Sequence, residues 1–296
     1  MSVISSPVLA FFGHHKSGTA WISRIIHSLC SDVGIKHVGY HSPKVFNYNL
    51  QEKIEQEHIN FFSYVNADIN YAQPIQAVRG FHVVRDPRDI VVSAYFSHLN
   101  SHPVEFWSEL AEQRLRLKES SKDEGLLLTM EFLKDLKTDG VALKLFDSMN
   151  SWDYSLPNIL ELKFEDMIRN PYKSFVKIFQ FLGILEESEI SLQLVSKYLP
   201  KNISEKILEK LFSEGYQPSK LNNQVSLKAL LYFVHENSFS RLSGGREIGR
   251  ENVTHHYRKG VAGDWKNHFK KQHKQCFKEN YNDLLVKLGY EKDDNW

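Results

Sequence analysis

The stretch from Val8 to Trp21 constrains the fold of this chain more than any other segment. It begins with five apolar residues, Val8 to Phe12, a run that is too short to span a membrane and suits a buried strand. A donor-rich turn, Lys16–Thr19, comes next, and an apolar-periodic segment typical of a helix follows it. Because the unpaired N–H groups of a first helical turn point at an anion and a lysine adds a full charge, this order predicts a phosphate site.

The turn differs from a Walker A loop, in which a glycine directly precedes the lysine and a serine or threonine follows it. In this chain Lys16 comes before Gly18. Taken alone, the turn also fits a helix N-terminus that binds no ligand. The phosphate interpretation therefore needs support from other parts of the sequence.

The overall composition excludes several classes of function. Of the 296 residues, 42% are hydrophobic and 25% are charged, and 37 basic residues against 36 acidic ones leave almost no net charge. A global field that would attract nucleic acid or an anionic membrane is therefore excluded, and any basic site must be local. No apolar run approaches the roughly 18–20 residues of a membrane helix. We expect no nucleic-acid partner and no membrane span.

Cysteine usage and the N-terminus bear on the compartment. Cys30 and Cys276 lie far apart on predicted helices, so a disulfide framework is not indicated. The first residues lack the basic segment and the small-residue cleavage site of a signal peptide. We therefore expect the protein to be cytoplasmic.

Predicted strands alternate with predicted helices along the chain, which favours a mainly parallel sheet covered on both faces. The pattern predicts an α/β fold, with one three-layer domain over residues 1–296. The segment 103–149 is predicted to be helical throughout, with a polar break at 119–125, and the segment 186–240 to form helices around a polar loop. The further predicted strands are 35–40, 61–65, 80–84 and 158–164. The further predicted helices begin near Arg88 and at Tyr172, and a final amphipathic helix follows Lys266 and ends near Leu288.

A second basic cluster follows the strand that ends at Val84. Arg85 lies eight residues before Ser93, and Pro87 favours a turn into a new helix. A helix that begins near Arg88 would direct Ser93 back toward the strand end, so that a guanidinium and a hydroxyl converge on one oxyanion. The alternative is that Arg85 pairs with Asp86 or Asp89 and that Ser93 only packs.

A third cluster lies near the C-terminus, where Arg258, Lys259 and Gly260 are followed by Gly263-Asp-Trp-Lys266. Two adjacent cations before a glycine allow side chains and a bare backbone N–H to approach a phosphate together. A charged surface turn is the alternative. The preceding loop, 242–250, has no apolar periodicity and is a candidate mobile segment.

Together the three clusters resemble the sulfotransferase superfamily that uses 3′-phosphoadenosine 5′-phosphosulfate (PAPS). Lys16-Ser-Gly-Thr-Ala-Trp21 is similar to the family's P-loop-like phosphosulfate-binding loop, and Arg85 to Ser93 is similar to its 3′-phosphate element, with the same spacing of eight. The segment 258–266 resembles its C-terminal signature. Phe164-Glu-Asp-Met and Asn170-Pro resemble a further family segment, although many members have a tyrosine where this chain has Phe164.

The resemblance implies a role for each matching residue. Lys16 would contact the phosphosulfate and stabilise the leaving phosphate, and Trp21 would stack on adenine. The 5′-phosphate would be held by Ser17, Gly18 and Thr19, and the 3′-phosphate by Arg85, Ser93, Arg258, Lys259 and Gly260. Ala20, in the same loop, would also bind the cofactor. Asn237, Ser238 and Phe239 resemble the family's adenine contact. The implied cofactor elements are 8–30, 80–98 and 235–266, and the implied acceptor side is formed by 37–70, 100–150 and 186–256.

The general base is not identified by the resemblance. Well-known cytosolic members carry a catalytic histidine after the strand that corresponds to 61–65, whereas here that strand is followed by Asn66-Ala-Asp68. Asp68 could serve, since carboxylate bases occur elsewhere in the superfamily. His41, beyond the second strand, and His15, beside the phosphate loop, are the other candidates.

The sequence thus predicts transfer of a sulfuryl group from PAPS to a hydroxyl or amine of a small-molecule acceptor, with adenosine 3′,5′-bisphosphate (PAP) released. Positioned cations stabilise the charge of such a transfer, so no metal is required. Two alternatives remain open at this point. One is a P-loop kinase, although its Gly-Lys-Ser/Thr order is absent, and the other is a catalytically inactive PAP- or PAPS-binding scaffold of the same fold.

Overall fold

The computed structural model of the chain describes residues 7–104, 107–186, 212, 215–218 and 222–296. Five strands within this part of the chain form a parallel sheet in the order β2-β3-β1-β4-β7, and two short strands, β5 and β6, form an antiparallel hairpin. The strands are β1 (Val8–Gly13), β2 (His37–Tyr40), β3 (Phe61–Tyr64), β4 (Val78–Val84), β5 (Lys137–Thr138), β6 (Val141–Ala142) and β7 (Ile159–Lys163).

Helices cover both faces of the sheet. They are α1 (Thr19–Val33), α2 (Leu50–Glu57), α3 (Ile69–Ala72), α4 (Pro87–Asn100), α5 (Ser108–Glu119), α6 (Lys122–Lys134), α7 (Leu145–Ser151), α8 (Phe164–Arg169), α9 (Pro171–Leu182), α10 (Leu227–Glu236), α11 (Phe239–Leu242) and α12 (Lys271–Lys287). The predicted α/β, three-layer architecture is confirmed.

Side chains of β1 alternate between two hydrophobic cores. Phe11 packs with α1, α9 and α10 on one face, and Phe12 packs with residues around Tyr40, Phe46 and Trp152 on the other. This alternation follows from the period of two along a strand, and burial on both faces explains why the run is apolar without a break. A third core joins α4 to α6, α7 and α12.

The position of β1 brings distant segments of the sequence together. It lies between β3 and β4, and Gly13 at its carboxyl end is in register with Val83. The loops after these two strands therefore leave the sheet at the same edge. Ligands of open α/β sheets bind in the crevice at this edge, where the chain turns to opposite sides.

One part of the helix prediction is wrong. The segment 103–149 is not helical throughout, because β5 and β6 form a hairpin between α6 and α7. The turn of this hairpin is Asp139-Gly140, and both residues have positive φ angles, of 52° and 76°. Asp-Gly is a preferred sequence for a two-residue hairpin turn, and this local signal overrides the helical pattern on either side of it.

Other elements agree with the prediction to within a few residues. The helix expected near Arg88 begins at Pro87, and it buries Ile90, Val91, Ala94 and Tyr95. Of the helices predicted over 186–240, α10 lies in the described region, whereas 187–211 falls outside the described residues. No helix in the described ranges is long and apolar enough to cross a membrane.

Candidate active site

A cleft of about 640 Å³ opens at the carboxyl edge of the sheet. All three basic clusters that the sequence singles out contribute to its lining. The predicted cofactor residues along it are Lys16, Gly18, Thr19, Ala20, Trp21, Arg85, Ser93, Asn237, Ser238, Phe239, Arg258, Lys259 and Gly260. Ser17 is the one predicted residue that lies behind this lining, and it is fully buried.

The first cluster is a tight turn between β1 and α1. Lys16 and Gly18 both have positive φ angles, of 64° and 80°, so the backbone is held in a conformation that is costly for lysine. Arg85 stabilises this turn, because its Nη1 donates a hydrogen bond of 2.9 Å to the Lys16 carbonyl oxygen. Phe164 packs so closely over Gly18 that a Cβ there would lie 2.4 Å from its ring.

Three buried polar atoms of the predicted cofactor residues have no hydrogen-bond partner among the described residues. They are Ser17 Oγ, Arg85 Nε and Ser238 Oγ. Buried donors are almost always paired in folded proteins, and an unpaired one costs about 1–3 kcal/mol. A phosphate oxygen would satisfy donors of this kind, so the residues present fit an anionic nucleotide.

The Lys16 ammonium is destabilised in the free protein. Burial, together with the nearby Arg85 guanidinium, lowers the pKa of Lys16 to about 7. A bound phosphate or phosphosulfate would restore the charged form by supplying an opposite charge. The turn is therefore arranged for an anion beside the Lys16 ammonium.

The second cluster also reaches the cleft. Helix α4 brings Ser93 to the lining to which Arg85 contributes, and their shared role at one oxyanion stays a prediction. The alternative pairing of Arg85 with Asp86 is not seen, because Asp86 binds Arg88 through two hydrogen bonds, of 2.8 and 3.0 Å. Arg88 also stacks over Trp265, 3.8 Å from the ring centroid. Arg85 thus keeps its remaining donors for the cleft.

The third cluster is held in place by hydrogen bonds between its neighbouring backbone and α4, although the two segments are far apart in sequence. The buried Asp89 carboxylate accepts backbone hydrogen bonds from Gly263 at 2.6 Å and from Trp265 at 2.9 Å. Asp264, also buried, binds both Arg258 at 2.5 Å and Lys259 at 2.6 Å. These contacts hold the two cations at the cleft wall. Hydrogen bonds from His268, Lys259, Asn267 and Arg258 together depress the pKa of Asp264 far below its usual range.

Aromatic side chains form the wall where the adenine contact is predicted. The Trp21 indole donates a hydrogen bond of 2.9 Å to the Asn237 carbonyl oxygen and packs edge-on against Phe164 and Phe175. The Asn237 side chain donates to the Phe233 carbonyl at 2.8 Å. The wall is therefore lined by aromatic rings and joined by hydrogen bonds, as suits a base-binding surface.

The three candidates for the general base lie in different places. Asp68 caps α3, and its Oδ1 accepts hydrogen bonds from the backbone and side chain of Asn70. His41 is exposed and binds Asp139 at 3.0 Å. Neither Asp68 nor His41 is among the residues that line the cleft, whereas His15 lines it beside Lys16. Their roles stay predictions.

Several residues of the cleft are not named individually by the sequence reasoning, although most of them lie in the implied segments. They are His102, His256, Arg246, Tyr257 and the segment 168–172, apart from its Asn170-Pro171 pair. Arg246 belongs to the loop expected to be mobile, and its guanidinium donates to the carbonyl oxygens of Tyr257 and Arg258. Its position in a glycine-flanked loop is a signal that could have marked it.

One carboxylate and histidine group could hold a metal by distance alone in the described part of the chain. It consists of Glu251, Asp264 and His268. Arg258 binds both carboxylates, and Asp264 also binds Lys259. Because these cations already neutralise the acidic oxygens, this group does not fit a metal ion.

Comparison with known proteins identifies the family. A family model described as "Sulfotransferase domain" matches residues 9–289. The chain belongs to the sulfotransferase-domain family. The resemblance inferred from the three clusters is thereby confirmed.

Curated sulfotransferases are similar to the chain at modest identity. Sulfotransferase 2A2 from Rattus norvegicus is 28% identical over 69% of this chain and 55% of its own length. A 3-alpha-hydroxysteroid sulfotransferase from Cavia porcellus is 26% identical over 70% of this chain and 55% of its own length. The chain thus matches about half the length of these two relatives. Sulfotransferase 2A1 from Homo sapiens is 23% identical over 98% of this chain and 88% of its own length.

Solved structures share the fold. Mouse sulfotransferase SULT7A1, crystallised with PAP, superposes with a TM-score of 0.55 and 19% identity over 96% of this chain and 87% of its own. Retinol dehydratase, crystallised with androsterone and inactive cofactor PAP, gives a TM-score of 0.50 and 16% identity over 95% of this chain and 81% of its own. At these low sequence identities the two structures show that the fold is shared and nothing more.

Proposed function

We propose that this chain is a PAPS-dependent sulfotransferase that transfers a sulfuryl group to a hydroxyl or amine of a small-molecule acceptor and releases PAP. One observation carries the proposal: the clusters around Lys16, Arg85 and Arg258 line a single cleft although they are far apart in sequence. A nucleotide with phosphates at both its 5′ and 3′ positions needs two separate anion sites in one cleft. A nucleoside triphosphate, as used by the P-loop kinase alternative, needs one extended site instead.

The contacts suggest how the chain would bind the nucleotide. The N-terminal turn of α1, with Ser17, Gly18, Thr19 and Ala20, would hold the 5′-phosphate by backbone and hydroxyl donors. Arg85, Ser93, Arg258, Lys259 and Gly260 would hold the 3′-phosphate. Trp21, together with Asn237, Ser238 and Phe239, would bind adenine. Unpaired Ser17 Oγ, Arg85 Nε and Ser238 Oγ support this assignment.

The proposed chemistry depends mainly on Lys16. Sulfuryl transfer, like phosphoryl transfer, passes through a loose in-line transition state in which charge grows on the leaving oxygen. Lys16 would stabilise that oxygen, and Arg85 would keep the turn in place through its hydrogen bond to the Lys16 carbonyl. A side chain of the cleft accepts the proton of the acceptor.

The finer assignments belong to the same proposal. Residues 1–296 would act as one domain, with cofactor elements at 8–30, 80–98 and 235–266 and an acceptor side formed by 37–70, 100–150 and 186–256. A hydroxyl acceptor is supported by the name of the Cavia porcellus relative, which refers to a hydroxysteroid. The free thiols of Cys30 and Cys276 support a cytoplasmic location.

The test is transfer of label from [35S]PAPS to a panel of phenols, alcohols and amines, including 2-naphthol, a 3-hydroxysteroid and a primary arylamine. We expect at least one labelled product with the wild-type chain and a loss of about 100-fold or more with Lys16→Met. Arg79→Lys, on the exposed amino-terminal part of β4, is the matched control and should behave as wild type. Tight PAP binding without transfer to any acceptor would favour the scaffold, and preference for ATP with Mg²⁺ would favour the kinase.

A further inference from the structure

Three histidines and a tryptophan form an aromatic cluster beside the phosphate turn, which we call the histidine cluster. It consists of His15, His98, His102 and Trp107, whose ring centroids lie 5.3–5.8 Å apart. His15 and His102 line the cleft, and His98 lies behind them with no exposed surface. No motif of the sulfotransferase resemblance includes these residues.

The hydrogen bonds of the cluster determine which ring nitrogens carry protons. His98 Nδ1 lies 3.0 Å from Gln113 Oε1, which can only accept, so His98 carries its proton on Nδ1. His98 Nε2 is then an acceptor and receives the hydrogen bond of 3.1 Å from His15 Nε2. His15 therefore carries its proton on Nε2, which leaves a lone pair on Nδ1.

That lone pair is available for chemistry. His15 Nδ1 has no hydrogen-bond partner in the described parts of the chain, and the residue is the immediate neighbour of Lys16. Burial, with the nearby His98 and Lys16, holds the pKa of His15 well below its usual range. The ring is thus neutral at pH 7, so His15 Nδ1 keeps its lone pair.

The surroundings of His98 keep it in place. Arg114 of α5 donates hydrogen bonds of 2.6 Å to the carbonyl oxygens of His98 and His102, which ties the end of α4 to α5. Gln113 is almost fully buried one residue earlier on the same helix. His98 is therefore a fixed acceptor for the His15 ring, as the orienting partner of a catalytic histidine must be.

We propose that His15 is the general base of the sulfuryl transfer and that His98, with Gln113 behind it, is a positioning residue that fixes the tautomer of His15. This inference rests on the proposed function, since it assigns a base to that reaction. It places the base on the phosphate turn, next to the lysine that stabilises the leaving group. It also explains how a chain without a histidine after β3 could transfer the group.

The proposed step is balanced. The acceptor oxygen forms a bond to sulfur as the bond between sulfur and the 5′-phosphate oxygen breaks, and the electron pair of the broken bond stays on that oxygen beside Lys16. The acceptor proton moves to His15 Nδ1. The resulting imidazolium keeps its Nε2–H bond to His98, and it returns the proton to water after product release.

The other candidates are less suitable on geometric grounds. Asp68 already accepts two hydrogen bonds at the N-terminus of α3, and His41 is paired with Asp139. His102 lines the cleft, but its buried Nδ1 has no hydrogen-bond partner among the described residues. Its tautomer is therefore not fixed through that nitrogen. His15 alone, of these four, combines a cleft position with an orienting hydrogen bond.

The first test determines the tautomers of His15 and His98 and needs no sulfuryl acceptor. Long-range 1H–15N spectra of the 15N-labelled chain with PAP at pH 7, assigned with His15→Gln, His98→Phe and His102→Gln, should show His15 protonated on Nε2 and His98 on Nδ1. His98→Phe should leave His15 as a mixture of both tautomers. A His15 ring protonated on Nδ1 in the wild type, or unchanged by His98→Phe, would overturn the proposal.

The second test measures catalysis with the panel acceptor that the wild type converts fastest. His15→Gln should lower kcat by about 100-fold or more, and His98→Phe by about tenfold, with PAP affinity within about threefold of wild type in both. His15→Ala should regain activity when imidazole is added, which loss of a merely structural contact would not allow. His58→Gln, on an exposed turn outside the cleft, is the control and should be unchanged.

The outcomes separate the two proposals. An active His15→Gln enzyme overturns the assignment of the base and leaves the proposed function intact, and the same holds if the loss occurs only in Asp68→Asn or His41→Gln. A wild-type chain that binds PAP but transfers to no acceptor overturns both. Loss of PAP binding in His15→Gln also overturns the assignment, because the residue would then serve the cofactor instead.

Discussion

The Asp89 carboxylate and the backbone N–H of Gly263 are hydrogen-bonded at 2.6 Å across 174 residues of sequence. Asp89 lies in the first turn of α4, directly after the Arg85 loop, and Gly263 follows the Arg258-Lys-Gly260 cluster. The contact therefore sets the position of one basic cluster relative to another. The two segments that we assign to the 3′-phosphate depend on a carboxylate that does not itself line the cleft.

Replacement of Asp89 by asparagine should weaken both folding and nucleotide binding. An amide offers one acceptor atom in place of the two that receive hydrogen bonds from Gly263 and Trp265. We expect the free energy of unfolding to fall by about 1–3 kcal/mol. The affinity for PAP should fall roughly tenfold, or about 1.4 kcal/mol.

Urea denaturation and titration calorimetry with PAP measure these two effects. Asp139→Asn is the matched control, because Asp139 also accepts two side-chain hydrogen bonds but lies in the β5–β6 turn outside the cleft. It should change each quantity by about 0.5 kcal/mol or less. Equal losses in the two variants would contradict the role of Asp89.

PAP affinity should decrease as the pH rises above 7. In the free protein Lys16 has a pKa of about 7, so it loses its proton above that pH. A bound anion favours the charged form, and binding above pH 7 therefore takes up a proton. By linkage, the association constant should be at least about tenfold lower at pH 9 than at pH 7.

Calorimetry in two buffers of different ionisation enthalpy would report the proton uptake directly. In Lys16→Met the affinity should be lower at pH 7 but nearly independent of pH between 7 and 9. If this variant kept the slope of the wild type, some other group would be responsible.

Arginine at position 85 should not be replaceable by lysine. The guanidinium spans the Lys16 carbonyl and the cleft, and lysine has a single donor group that cannot reach both. Arg85→Lys should therefore lower PAP affinity by about 10- to 100-fold while the fold is retained. Arg79→Lys, near the start of the β4 strand that precedes Arg85, is the control. Unchanged affinity in Arg85→Lys would show that charge alone is required.

Gly18 should tolerate alanine far less well than another glycine of positive φ. At Gly18 a Cβ would collide with the Phe164 ring, whereas at Gly244, with φ of 76°, it would meet nothing within 4 Å. Both variants bear the left-handed strain of about 1–2 kcal/mol. Gly18→Ala adds overpacking of about 1–3 kcal/mol and should also abolish PAP binding. Thermal unfolding with and without PAP distinguishes Gly18→Ala from Gly244→Ala. Similar melting temperatures of the two variants would contradict the prediction.

The cofactor half of the site follows from local sequence signals. The apolar run before Gly13 and the helical periodicity after Lys16 give a strand, a turn and a helix start, and the eight-residue spacing from Arg85 to Ser93 matches a helix that begins at Pro87. Such signals lie within a few residues of each other. The parallel sheet then brings the loops together at one edge, so the cleft could be predicted without coordinates.

The acceptor half depends on contacts that no local pattern encodes. His15 and His98 are 83 residues apart, and Gln113 lies on yet another helix. Their meeting depends on how α4 and α5 pack over the turn, and this is decided by the third hydrophobic core. The Asp139-Gly140 hairpin is the opposite case, because a local turn signal is present in the sequence but lies between two segments of helical pattern.

The most direct test of the central claim compares the affinities of PAP, adenosine 5′-monophosphate and ATP with Mg²⁺ for the wild-type chain by titration calorimetry. If Lys16 and Arg258 bind two different phosphates of one nucleotide, a nucleotide without the 3′-phosphate should lose the charge-assisted contacts of Arg85, Arg258 and Lys259. We predict that PAP binds at least about 100-fold more tightly than adenosine 5′-monophosphate and more tightly than ATP. Equal affinities for PAP and adenosine 5′-monophosphate would contradict the account.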